Sequence, residues 1–329
     1  MTEPATVRDA ANPFAPLSDP ENPPDVILRS SDLVDFHAHK AFLAFGSPVF
    51  RNMFTFPTPV SEGGDVVKDG KPIIPLTESS KTVEKLLILC YPRFSNDGFR
   101  DLDGIDGAYE AVHKYQIPSG QKQLEHVLQE PRFSEKQPLR VFAIACHRGM
   151  EDIAKAAAME NLKKPRYVPI SVPEFDFISA RRLRQLDDFH YRCGEKIARL
   201  VKNLKDAENQ DHVYRSYGDD NRSIEVWWKD EGHSDDCGAQ FSEDSDVLYP
   251  AQWFTDHILR VASTVSLCPD ATSAAKKVAE IFGPTKEAIS KCPMCLRSAQ
   301  SDLANLVWSV EEAAKAAYET ILAEYSFTA

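Results

Sequence analysis

Residues 24–54 read PDVILRSSDLVDFHAHKAFLAFGSPVFRNMF, and this stretch decides how the chain begins to fold. The apolar run Val26–Leu28 predicts a short strand, and after a polar turn the alternation from Val34 to Ala38 predicts a second strand. Two apolar helical segments follow, and a Gly-Ser-Pro break at residues 46–48 separates them, since glycine and proline interrupt a helix. The stretch therefore predicts two strands that lead into a pair of helices.

The spacing of these residues resembles the start of a BTB/POZ domain. The family pattern is D-[VI]-x-[LF], then F-x-[AV]-H-[KR]-x-x-L, then S-x-x-F-x-x-M-F. Nine residues occupy positions that this pattern specifies: Asp25, Phe36, His39, Lys40, Leu43, Ser47, Phe50, Met53 and Phe54. Two later segments, 86–91 and 108–117, resemble further helices of the family, so the resemblance covers residues 22–130. It implies an α+β domain, a small sheet flanked by helices, which binds other proteins.

The rest of the chain is predicted to be disordered at its start and mainly helical after residue 130. Residues 1–21 are rich in Pro, Ala and Asp, which is typical of a disordered lead. Apolar spacing over residues 131–164 predicts a helical hairpin that extends the domain. The same spacing predicts a mainly α-helical C-terminal region over residues 175–329, with late helices at 253–266, 273–281 and 302–325.

The C-terminal region also resembles a large family of basidiomycete fungal BTB proteins. The resemblance depends on short motifs that follow the BTB-like part in a fixed order. They are a His-x-x-Cys beginning at His190, a Trp-containing turn at Trp227 and Trp228, a second tryptophan helix at Trp253, and a Lys-Cys-x-x-Cys beginning at Lys291. No known reaction is associated with this arrangement.

Composition argues against several classes of function. The net charge of −12 and the pI near 5.3 disfavour a nucleic-acid binder, which would normally carry a basic patch. No apolar run approaches the roughly 20 residues that a membrane-spanning helix needs, and the N-terminus shows no secretion signal. With seven cysteines and no export signal, free thiols in a reducing compartment are expected. The predicted location is therefore intracellular, cytoplasmic or nuclear.

Four residues in the second half form a candidate zinc site: His233, Cys237, Cys292 and Cys295. Two thiolates at i and i+3 can bind one tetrahedral ion, but such a pair is only half of a site. The alternative second half is the helical His-x-x-Cys pair, His190 and Cys193. In the competing interpretation the cysteines are free structural thiols, His233 is solvated, and the protein has no cofactor.

Four residues near the first predicted helix are candidate interaction residues: Asp25, His39, Phe42 and Phe45. In the BTB family, homodimerisation uses the first helix and the preceding segment, which correspond here to Ala38–Phe45 and the residues before Asp25. An outward-facing Phe42 or Phe45 would leave an apolar patch that association covers, whereas the alternative is that both pack in the core. His39 is expected to make a buried hydrogen bond at the start of the helix.

Three functions stay open at this point. The first is a protein–protein interaction module that self-associates, for example as a homodimer, or binds a partner. The second is a substrate adaptor for a cullin-type ubiquitin ligase, a role of many BTB proteins, although the Kelch or MATH repeats that usually hold the substrate are missing. The third is a scaffold stabilised by zinc at Cys292 and Cys295. The sequence contains no phosphate-binding glycine loop, Gly-x-Ser-x-Gly or His-Glu-x-x-His motif, so no enzyme activity is predicted.

Overall fold

The computed structural model describes residues 6–16, 21–55, 67–92, 98–166, 172–204, 232–242, 247–249, 251–281 and 283–328. The chain forms two compact units, Met1–Ile153 and Ala154–Ala329. The boundary falls inside the segment predicted as a helical hairpin extension. Across the described ranges, none of the helices has both the length and the apolar character that a membrane crossing requires.

A small sheet with five strands organises the N-terminal unit. The strands are β1 Arg8–Asp9, β2 Val26–Arg29, β3 Val34–Ala38, β4 Val67–Lys68 and β5 Lys71–Pro75. Their order in the sheet is β1-β3-β2-β5-β4. β2 and β3 are antiparallel, with Val26 opposite Ala38, while β1 lies parallel to β3 and β5 parallel to β2. The predicted pair of strands therefore forms the centre of the sheet.

Helices flank this sheet. Their bounds are α1 Lys40–Gly46, α2 Pro48–Thr55, α3 Ser80–Cys90, α4 Ile105–Lys114, α5 Gly120–Gln129, α6 Pro131–Ser134 and α7 Pro138–Arg148. The next helix, α8 Glu151–Asn161, begins at the unit boundary and belongs mostly to the C-terminal unit. The apolar motif residues Val26, Phe36, Leu43 and Phe50 are all buried. The prediction of an N-terminal domain with a small sheet flanked by helices is therefore confirmed.

Residues 6–16 correct the prediction of a disordered lead over residues 1–21. Strand β1 pairs with β3 by placing Arg8 opposite Val34. Phe14 is buried, and its ring lies 5.5 Å from that of Tyr91 in an edge-on arrangement. A strand of two residues and a single buried phenylalanine are too short to produce a periodic pattern, so composition alone suggested disorder. Residues 1–5 and 17–20 lie outside the described residues.

Five helices form most of the C-terminal unit as described: α9 Ala180–Asn203, α10 Gln252–Val265, α11 Ala271–Ala279, α12 Gly283–Ser290 and α13 Pro293–Leu322. β6 Gln240–Ser242 and β7 Val247–Tyr249 pair as an antiparallel hairpin, and short 3-10 segments cover Pro173–Phe177 and Asp235–Cys237. α9 packs against α10 and α13, and α11 packs against α13. The mainly helical C-terminal region is confirmed.

The last helix differs most from its prediction. Residues 302–325 were expected to be helical, but α13 begins at Pro293 and ends at Leu322. Proline suits the first turn of a helix, because the N–H group that it lacks has no partner within the helix there. Cys292 is consequently the N-cap residue and Cys295 lies in the first turn. Trp227 and Trp228, which contributed to the second resemblance, lie outside the described residues.

Candidate functional site

Asp25 fixes the start of helix α1. The N-cap residue of this helix, His39, makes no capping hydrogen bond with its own side chain. Instead, the Lys40 amide donates to the Asp25 carboxylate at 2.7 Å. A carboxylate at a helix N-terminus satisfies an amide that has no helical acceptor and interacts favourably with the helix dipole. Asp25 thus acts as a cap from the residue before β2.

The hydrogen bonds of His39 hold three segments together. Its backbone N–H donates to the Tyr91 hydroxyl oxygen at 2.8 Å, and its Nδ1 lies 3.0 Å from the same oxygen. Its Nε2 lies 2.7 Å from the carbonyl oxygen of Asn22, which can only accept. Nε2 is therefore the protonated nitrogen, and Nδ1 accepts from the tyrosine. Burial raises the pKa of Tyr91 to about 12, so its hydroxyl keeps the proton that it donates.

The two phenylalanines of α1 are exposed to different degrees. Phe42 is 37 % exposed, and its ring centroid lies 4.8 Å from that of Tyr91. Phe45 is 80 % exposed. Residues three apart lie on the same face of a helix, so the two rings belong to one surface, which we call the α1 face. Phe42 and Phe45 form this face, whereas Asp25 and His39 fix the position of the helix through their hydrogen bonds.

The four candidate zinc ligands of the C-terminal unit converge on one point. One ligand atom from each of His233, Cys237, Cys292 and Cys295 lies within 4.8 Å of the other three. Nδ1 of His233 is 3.4 Å from Sγ of Cys237, 3.4 Å from Sγ of Cys292 and 3.6 Å from Sγ of Cys295. The sulfur atoms of Cys237 and Cys295 are 3.4 Å apart. Within the described residues this is the one such group of His, Cys, Asp and Glu side chains.

The surroundings of this Cys3His cluster are mostly buried. The three cysteines are buried and His233 is half-buried. The indole N–H of the buried Trp253 donates to Sγ of Cys295 at 3.2 Å. The hydroxyl of Ser234, next to His233, donates to the Lys291 carbonyl at 3.4 Å, which joins the two segments that carry the ligands.

The environment separates the acidities of the three thiols. Burial raises the pKa of Cys295 to about 12 and also raises that of Cys237. Burial has the same tendency at Cys292, but hydrogen bonds from the backbone of Cys295 and Ser234 and from His233 outweigh it, and the pKa of Cys292 falls to about 6. Cys292 is therefore the thiol of this cluster that ionises most readily.

The alternative ligand pair is not brought to the cluster. Nε2 of His190 lies 3.0 Å from the carbonyl oxygen of Lys164, and Cys193 is buried in helix α9. Burial raises the pKa of Cys193 to about 12 and lowers that of His190, so both groups are neutral at neutral pH. The pair at 190 and 193 is thus part of the helical core.

Sequence reasoning missed a buried carboxylate in the sheet. Asp35 in β3 is 0 % exposed and receives hydrogen bonds from Nε of Arg29 at 2.6 Å and from Nζ of Lys68 at 2.8 Å. Lys68 also contacts Asp9 at 2.7 Å, and Asp9 lies 3.0 Å from Nε2 of His37. Arg29 and Asp35 are paired residues across the β2–β3 hairpin, so their symmetric position about the turn was the available signal. For Trp253, no pattern in the sequence indicated that its indole N–H would donate to Cys295.

Comparison with known families agrees with the architecture of the N-terminal unit. Residues 14–132 match the family model described as BTB/POZ domain, which covers about a third of the chain. The N-terminal unit therefore contains a domain of a protein-interaction class. That domain is a BTB/POZ domain, and a helical region follows it. The search of curated proteins finds no match to the chain.

Proposed function

We propose that the BTB domain associates with a second copy of itself through the α1 face. The observation that carries this proposal is the 80 % exposure of Phe45 on a helix whose position is fixed by Asp25 and His39. Covering a large, water-exposed aromatic side chain on a rigid helix with a second protein lowers the free energy, because apolar surface is removed from water. Little order has to be imposed on binding, because the helix is already anchored.

Charge and size further define this interface. The chain carries a net charge of −12, which opposes contact between two copies over most of their surfaces. Helix α1 has the sequence KAFLAFG, so Lys40 is its only charged residue and the α1 face avoids that repulsion. A stable interface needs about 800 Å² from each partner. Helix α1 must therefore be joined by neighbouring surface, such as the exposed Met53 on α2, against which α1 packs.

Light scattering on the full chain over a range of concentrations tests the proposal. We expect the wild type to reach twice the monomer mass and Phe45→Asp to stay at the monomer mass with an unchanged circular dichroism spectrum. Phe177→Asp is the matched control, since Phe177 is 46 % exposed but lies in the C-terminal unit. A monomeric wild type, or a Phe45→Asp variant with undiminished mass, would overturn the proposal.

The finer alternatives from the sequence stay predictions. Capture on an immobilised cullin, and its loss after a charge reversal near Tyr115, would support the adaptor function. A zinc-stabilised scaffold is compatible with either kind of partner, because His233 and the three cysteines lie outside residues 14–132. Membership in the basidiomycete family and the absence of catalysis also stay predictions. An intracellular location is supported by the seven cysteines, since none of them is joined in a disulfide.

A further inference from the structure

We propose that His233, Cys237, Cys292 and Cys295 bind one zinc ion that stabilises the C-terminal unit. The ligands come from two parts of the chain, since Cys237 and Cys295 are 58 positions apart. His233 and Cys237 lie at the 3-10 segment, whereas Cys292 and Cys295 lie at the start of α13. One ion would thus join a short irregular segment to the end of a long helix.

The distances within the cluster fit a tetrahedral ion. Zinc lies about 2.3 Å from cysteine sulfur and about 2.0–2.1 Å from histidine nitrogen, so tetrahedral angles place sulfur about 3.5 Å from nitrogen and about 3.8 Å from sulfur. The three Sγ–Nδ1 distances observed are 3.4, 3.4 and 3.6 Å. The Sγ–Sγ distance between Cys237 and Cys295, 3.4 Å, is only slightly shorter than the tetrahedral value.

Hydrogen bonding among the four side chains does not account for this geometry. A ring nitrogen of histidine has either one proton to donate or one lone pair to accept with. Nδ1 of His233 therefore serves one sulfur at a time, yet three sulfurs surround it at nearly equal distances. A cation between them interacts with all four ligand atoms at once, which accounts for the nearly equal distances.

A disulfide does not account for it either. Two bonded sulfurs are about 2.05 Å apart, whereas Cys237 and Cys295 are separated by 3.4 Å and both are free. A bond between any two of the three cysteines would also leave the third cysteine and His233 unexplained. The cluster is thus built for a ligand that uses every member.

The charge of the surroundings favours the metal complex. Three thiolates, a neutral imidazole and Zn²⁺ carry one net negative charge, and each thiol that is still protonated releases its proton on binding. Cys292 and Cys295 lie at the N-terminus of α13, where the helix dipole stabilises negative charge. The Trp253 indole N–H donates to Sγ of Cys295 and disperses part of the thiolate charge.

The ligand set also indicates the metal and its function. Three soft thiolates and an imidazole in a tetrahedron select zinc over the hard cations magnesium and calcium. Four protein ligands complete the coordination shell, which is typical of a structural zinc site and leaves no position for a substrate. The proposed zinc site is therefore independent of the α1 face and adds no catalytic step.

Metal analysis of the purified full chain tests the site. The protein should be produced in zinc-supplemented medium without a histidine tag, then separated from free metal by gel filtration. We expect one equivalent of zinc in the wild type and at least about tenfold less in the double variant Cys292→Ser, Cys295→Ser. Cys268→Ser is the matched control, because the Cys268 thiol donates to the Lys163 carbonyl at 3.1 Å and lies outside the cluster.

Cobalt replacement keeps the test decisive even if the double variant does not fold. The visible absorption of tetrahedral Co²⁺ reports the number of thiolate ligands. We expect a three-thiolate spectrum for the wild type, and for His233→Cys a retained metal with stronger sulfur-to-cobalt absorption. A wild type that binds neither metal after equilibration, that holds iron instead, or whose spectrum is unchanged by His233→Cys would overturn the proposal.

Discussion

Different polar groups connect the elements within each of the two units. In the N-terminal unit, the buried carboxylate of Asp35 joins strands β2, β3 and β4 through Arg29 and Lys68. In the C-terminal unit, one ligand atom from each of three cysteines and His233 lies within 4.8 Å of the others. Ion pairs connect elements directly, whereas in the proposed zinc site a cation joins the two segments that carry the ligands. The two units should therefore respond to different perturbations.

The largest expected effect comes from removing one buried charge, which should destabilise the N-terminal unit and leave the zinc content of the C-terminal unit unchanged. Asp35→Asn removes the carboxylate and leaves Arg29 and Lys68 without their buried partner. Breaking such a pair costs about 3 kcal/mol when the partners keep some contact with water. Urea denaturation should show this loss, whereas the surface change Lys81→Gln should cost less than about 1 kcal/mol. The zinc content should be the same in both variants, and a fall in zinc would break the comparison.

The same carboxylate also gives the N-terminal unit a pH dependence. Burial alone would raise the pKa of Asp35, but hydrogen bonds from Arg29 and Lys68 outweigh burial and lower it. A folded-state pKa below the unfolded value of about 3.9 contributes stability that is present above that value. The contribution is lost as the pH falls through the folded-state pKa. Melting temperatures between pH 7 and pH 3 should therefore decline less steeply in Asp35→Asn than in the wild type.

A smaller effect is expected at the metal cluster. Trp253→Phe keeps the buried ring but removes the N–H that donates to Cys295 at 3.2 Å. Loss of a hydrogen bond to a ligand lowers metal affinity by about tenfold or more. Competition with a chromogenic chelator should show weaker zinc binding, while the mass measured by light scattering stays that of the wild type. Unchanged zinc affinity would mean that the indole only fills space.

The smallest effect concerns the cap of α1. Asp25→Ala removes the acceptor of the Lys40 amide and should cost about 1 kcal/mol of stability. Because the cap also fixes the α1 face, the concentration needed for self-association should rise as well. Asp25→Asn keeps an acceptor oxygen and should restore most of both properties. If Ala and Asn behave alike, the capping explanation is wrong.

Local spacing explains why the N-terminal fold could be predicted. Residues 24–54 contain two strands and two helices whose apolar residues repeat at the intervals that each element requires. These intervals depend only on neighbouring positions in the chain. Phe36, Leu43 and Phe50, which follow these intervals, are all buried. Strand β1 was missed because two residues carry no interval.

The candidate site depended on contacts that spacing does not encode. Cys292 and Cys295 were recognisable as a pair, and residue types suggested His233 with Cys237 as the second pair but left His190 with Cys193 open as the alternative. Only the folded chain distinguishes them, since one pair reaches the cluster and the other lies in or against helix α9. The exposure of Phe45 likewise depends on which side of α1 packs against the domain.

Strand β1 has a consequence for how copies of the protein would exchange partners. It occupies the free edge of β3, and Asp9 ties it to His37 and Lys68. A dimer made by trading this strand would first have to detach it from its own chain, which is slow. Contact through the α1 face requires no such opening. Subunits from two labelled populations should therefore mix quickly, and the assembly would be suited to reversible regulation by concentration.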